Sequence, residues 1–161
     1  MLDAAIAKHP EHGPCLRARG QVALTQSPPQ FTEAVEFLQR ATAVIPNDYQ
    51  SHWSLAEALR QQGKTAEARL QLARAEELRD RLERLGELRS RKLAEQPLDP
   101  ALHYEMGILL VRTGHPDVGE RWLQSALSLD PDHKPTHAAL AELYERQGDA
   151  SRAAEHRKKA N

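Results

Sequence analysis

The stretch ALHYEMGILLVRTGHPDVGERWLQSALSLDP, from Ala101 to Pro131, constrains the fold most. It reads as two short amphipathic helices joined by a tight turn. His103, Met106, Gly107 and Leu110 fall at i, i+3, i+4 and i+7, which is one face of a first helix. Gly114 closes that helix, and His115-Pro116 turns the chain. Gly119, Leu123 and Ala126 mark the inner face of a second helix, which Pro131 stops.

The rest of the chain varies this unit. Leu2, Ala5 and Pro10 repeat the spacing of Leu123, Ala126 and Pro131, so the chain is expected to begin inside a repeat, as a piece of a longer protein. From Gly13, Leu16 and Gly20 take the places of His103 and Gly107, with Pro14 at a helix start. A mid-helix glycine costs roughly 1 kcal/mol against alanine, and close approach of a partner helix is the expected reason for Gly20. Thr32 is expected to cap the next helix, which carries Ala34, Leu38, Ala41 and Pro46. Asn47-Asp48 reads as another capping pair. His52, Leu55, Ala56 and Leu59 come next as an inner stripe, then Gly63, then Ala68, Leu72 and Ala75. Near the end, Lys134-Pro135 opens a helix with His137, Leu140, Ala141 and Tyr144, and Gly148-Asp149 turns into the last one. That helix ends in His156, Arg157, Lys158 and Lys159, as a solvent-facing terminal helix would.

The prolines that close repeats measure one irregularity. Pro97 to Pro131 spans 34 residues and Pro10 to Pro46 spans 36, the turn at Ser27-Pro28-Pro29 being longer. Pro46 to Pro97 spans 51, an excess of 17. The extra stretch, DRLERLGELRSRKLAEQ, has no proline and carries Leu82, Leu85, Leu88 and Leu93. Glu77–Arg81, Asp80–Arg84 and Glu87–Arg91 have favourable i,i+4 spacing. One long helix is therefore expected from Thr65 to Glu95, with Gly86 the place for a kink. Seventeen residues fall about one short of five turns, which rotates the third repeat by roughly 100°. Two sub-blocks are expected, the start to about Ala75 and about Pro97 to Asn161, with the insert's leucines covered.

This spacing resembles the tetratricopeptide repeat, a helix–turn–helix of about 34 residues. Arg19, Asp80, Gly119, Arg157 and the insertion depart from the family pattern. The expected class is all-α, an α-solenoid of such repeats with one unusually long helix in the middle. Residues 1–12 are a partial repeat, 13–48 the first repeat and 49–99 the second with its extended helix. Residues 100–133 are the third, and 134–161 the fourth with the C-terminal end, all in a single domain. The resemblance implies a non-enzymatic protein-interaction module that holds a peptide or helix of a partner protein in a groove lined by first helices. Carried over by position, that groove shows Arg17, Gln21 and Leu24, then Trp53, Glu57 and Arg60. Tyr104, Ile108 and Val111 come next, then Ala138, Glu142 and Glu145. Some relatives grip a terminal carboxylate with lysines, asparagines and an arginine. Arg17 fits that set, but Gln21, Ser54, Ala101 and Glu105 stand at its other positions. The alternative is a structural or self-association role, in which the first helix of the third repeat, apolar nearly all round, is buried on both faces.

Composition removes competing classes. Net charge is −1, and Glu57, Glu105, Glu142 and Glu145 oppose nucleic acid on the inner faces. No apolar run approaches ~18 residues, so no membrane span is expected. The start has no signal-peptide pattern, and the single cysteine, Cys15, fits a reducing, cytoplasmic setting and a packing role. Eight histidines invite a metal site. However, His52, His103 and His137 recur one per repeat, His133 precedes its helix, and Pro10 and Pro14 bend the chain between His9, His12 and Cys15. Packing is the expected role, with no metal and no cofactor.

Overall fold

A computed structural model describes residues 2–161; Met1 lies outside the described residues. Every regular element among them is helical, and no helix is long and apolar enough to cross a membrane. The chain divides into two compact units, the first ending at Asp80 and the second running from Arg81 to Asn161.

The first unit holds α1 (Leu2–Lys8), α2 (Gly13–Thr25), α3 (Phe31–Val44), α4 (Tyr49–Gln61) and most of α5 (Thr65–Glu87). Its core joins Ala23, Ala34, Val35, Leu38, Leu55, Ala58, Leu59 and Ala68, the apolar stripes of α2 to α5. Gly20 has the expected reason: a Cβ there would lie 2.5 Å from Leu38 Cγ. Arg19, which breaks the family pattern, is paired with Asp3 at 2.8 Å and Glu33 at 2.6 Å, so its charge is matched where an apolar residue was expected.

Two expected caps differ. The α3 N-cap is Gln30, so Thr32 lies inside the helix. Asp48 is the N-cap of α4, but its carboxylate accepts from Ser51 Oγ at 2.5 Å and pairs with Arg17 instead of taking a backbone N–H. A charged partner from α2 displaces the local backbone donor. His12 caps α2, its Nδ1 accepting from the Cys15 N–H at 3.3 Å, which is what the His9-His12-Cys15 cluster amounts to.

The second unit holds the end of α5, a π-helical turn (Leu88–Lys92), the single turn α6 (Leu93–Glu95), α7 (Pro100–Arg112), α8 (Pro116–Leu129), α9 (Lys134–Arg146) and α10 (Ala150–Ala160). Asp99 and Asp149 cap α7 and α10 through the N–H groups of Ala101 and Arg152. Leu123, Leu140, Leu143, Tyr144 and Ala153 form the core. The nearly all-apolar α7 packs against α8, α9 and the π-turn, which buries Met106 and Gly107 and leaves its other large apolar side chains half-buried. Gly63, Gly114 and Gly148, the expected turn positions, have φ of 77°, 92° and 79°, a conformation side chains resist.

The long middle helix is present, helical backbone continuing from Thr65 to Glu95. Gly86 does not end it. The irregularity falls just beyond, where the Leu93 N–H bonds to the Leu88 carbonyl, an i→i+5 bond. The leucines explain it. Leu88 and Leu93 are five apart, which in an α-helix leaves them roughly 140° apart; one wider turn brings them toward one face. Leu88 is fully buried, Leu85 and Leu93 half-buried, and Leu82 remains 43% exposed. The expected i,i+4 pairs are partly replaced. Arg84 turns to Glu105, at 2.5 and 2.8 Å, and to Glu87; Arg91 reaches Glu95 at 3.2 Å. The hydrogen bonds from Glu105 and then Glu87 hold the Arg84 guanidinium above its ordinary range, so it stays cationic.

Candidate functional site

Each first helix from the second repeat onward is registered by a histidine. Nε2 of His52, His103 and His137 donates to the carbonyl of Pro46, Pro97 and Pro131, at 3.1, 2.8 and 2.9 Å. In each case the proline stands six residues before. Nδ1 of the three rings faces Gln71 Oε1 at 2.7 Å, Ser125 Oγ at 2.9 Å and His156 Nδ1 at 2.8 Å, in that order. These rings staple the repeat-closing turn to both helices of the next repeat. The sequence carries the signal, a Pro-to-His spacing of six occurring three times, but it spans a turn, where helical periodicity does not reach. No group of three or more His, Cys, Asp or Glu side chains that could hold a metal exists among the described residues.

The His137–His156 contact is sensitive to acid. Burial, and after it the His137 charge, pushes the His156 pKa below 6.5; Lys159 and Arg152 act in the same direction and Glu155 against it. Two imidazoliums cannot share one Nδ1–Nδ1 contact. A lowered histidine pKa means that the unfolded chain binds the extra proton first, so this contribution to stability is complete above about 6.5 and is lost as pH falls from there through the lower pKa of the folded state. We expect the melting temperature of the second unit to fall between pH 7 and 5, and His156→Gln to flatten that dependence. An unchanged slope in the variant refutes the assignment.

Most inner-face residues are occupied. Arg17 is paired with Asp48, and Gln21 donates to Ser54 Oγ at 3.0 Å. Leu24 packs on the first core. Glu57 binds Arg60 and Gln61, whose hydrogen bonds hold its carboxyl below the usual range. Tyr104, Ile108 and Val111 pack half-buried against the second core, with the Tyr104 ring edge-on to His133 at 5.4 Å. Ala138 is exposed, Glu142 lies 3.9 Å from Arg146, and Glu145 is paired with Arg157.

Trp53 differs. It is 53% exposed and walls two clefts of the first unit at once. One, about 510 Å³, also carries Gln21, Tyr49, Gln50, Ser54, Ala75, Glu76 and Arg79. The other, about 290 Å³ and largely apolar, runs between α4 and α5 past Ala56, Glu57, Arg60, Ala68 and Leu72. The structure thus brings Gln21, Trp53, Glu57 and Arg60 around one indole. Ala68 and Leu72, expected from sequence as core only, form the far wall because α5 continues alongside.

The family profile described as tetratricopeptide repeat matches residues 30–81 and 104–160. No curated protein matches in sequence. Among solved structures, YrrB, described as a TPR protein with an unusual peptide-binding site, is 15% identical over 99% of this chain and 90% of its own, at a TM-score of 0.46. A crystal structure of MamA is 16% identical over 99% and 82%, at 0.43. Residues 41 to the end of MamA from Desulfovibrio magneticus RS-1 are 22% identical over 92% of each chain, at 0.42.

Proposed function

The chain belongs to the tetratricopeptide repeat family, and from that premise we propose that it is a non-enzymatic interaction module that binds a peptide or helix of a partner protein around Trp53. One observation carries this reading: a large aromatic side chain stands half in solvent between two clefts while its neighbours on the same face are bonded to one another. Holding a tryptophan half in solvent forgoes part of its burial free energy, and aromatic side chains seated in pockets are the usual anchors of association.

Trp53→Ala is expected to weaken capture of partners from native lysate at least tenfold, about 1.4 kcal/mol, with unchanged melting temperature. Equal recovery by the variant refutes the assignment. Tyr104 does not serve as the matching probe, because its ring is engaged with His133 and its truncation reports on stability.

A further inference from the structure

We infer that the apolar cleft beside Trp53 is a seat for one amphipathic α-helix of another protein, entering with a polar N-cap over the indole. The inference rests on the interaction reading above and names the occupant.

The argument comes from two places where this chain fills the equivalent seat itself. Arg17, Trp53 and Tyr104 occupy the same position in successive repeats. In the first unit α4 seats on α2 and α3: its N-cap, Asp48, pairs with Arg17, and Leu55, Ala58 and Leu59 enter the core. In the second unit α9 seats on α7 and α8: its N-cap, His133, meets the Tyr104 ring, and Leu140, Leu143 and Tyr144 enter the core. Counted from the N-cap, the residues that enter the core fall at +7, +10 and +11 in both helices. Both also carry a hydroxyl at +3 bonded to the N-cap side chain, Ser51 to Asp48 at 2.5 Å and Thr136 to His133 at 2.6 Å.

At Trp53 the seat is open. Ala56, Ala68 and Leu72 offer the apolar wall, and Glu57 and Arg60 the polar rim. Because Trp53 is aromatic like Tyr104, α9 is the nearer template. The recognised ligand is therefore a helix with a polar N-cap, a hydroxyl at +3, leucine at +7 and apolar residues at +10 and +11.

A labelled synthetic peptide of residues 131–146, PDHKPTHAALAELYER, is the probe, titrated with the full chain and monitored by fluorescence anisotropy. Saturable binding is expected. It should weaken at least tenfold with Trp53→Ala and with Leu72→Arg, each checked for wild-type helicity and melting, and vanish when the peptide carries Leu140→Asp and Leu143→Asp. Ile108→Ala, in the second unit, should leave it unchanged.

Absence of saturable binding, or equal binding by both cleft variants, overturns the inference. So does loss with Ile108→Ala, which would mean exchange with the chain's own α9. A dimer by light scattering that Trp53→Ala dissolves overturns it in favour of a second copy. If lysate capture depends on Trp53 while the peptide fails, the interaction reading stands and the helix occupant falls. If neither depends on Trp53, both fall.

Discussion

Gly119→Ala is expected to destabilise the second unit by about 2–3 kcal/mol, lowering its melting temperature by roughly 10 °C or more. The added methyl would lie 2.7 Å from the Gly107 carbonyl oxygen and 2.9 Å from the Val111 nitrogen. Both are backbone atoms of α7, so no side chain can rotate away; the two helices must separate. Gly107 faces the same contact from the other side, its Cβ falling 2.7 Å from Leu123 Cγ and 3.0 Å from the Gly119 oxygen. Gly119 breaks the family pattern because α7 and α8 approach closely at this glycine pair. Gly86→Ala is the control. Nothing lies within 4 Å of a Cβ there, so relief of glycine's helix penalty should stabilise the protein by roughly 0.5–1 kcal/mol. Thermal unfolding monitored by circular dichroism reads both. Equal behaviour of the two variants would refute the close-approach account.

Leu88→Ala is expected to cost about 2–5 kcal/mol, the range for truncating a buried leucine. Leu88 is fully buried in the π-turn that packs on α7, whereas Leu82, one of the four leucines of the same insertion, is 43% exposed. Leu82→Ala should therefore cost well under 1 kcal/mol. Urea denaturation of the two variants measures the difference. Similar midpoints would mean that the insertion is a spacer and not part of the second core. Deleting residues 80–96 would remove Leu85, Leu88, Leu93 and the Arg84 fork on Glu105 together.

Periodicity alone places the helix pairs, the turns at Gly63, Gly114 and Gly148, and the long helix, because these depend on residues three, four or seven apart. Gly20 is legible for the same reason: a glycine inside a strong helical pattern demands a close neighbour, and Leu38 is that neighbour. The π-turn is half-legible. Leu88 and Leu93 stand out of α-helical phase in the sequence, but only burial of Leu88 and partial burial of Leu93 within the second unit favour a wider turn over a regular one. Gly86, the residue whose type suggests a kink, stays helical.

The inner faces show the same limit. Arg17, Gln21, Glu57 and Arg60 point where the repeat pattern directs them, yet whether such a side chain is free depends on what crosses from the next helix. Asp48 and Ser54 occupy the first two, and the last two occupy each other. Trp53 stays 53% exposed. Local chemistry and spacing thus determine the repeating helices of this chain. Contacts such as Arg17–Asp48 and Gln21–Ser54, 31 and 33 positions apart, which no short-range pattern encodes, join local pairs such as Glu57–Arg60 in deciding which of its side chains remain available to another molecule.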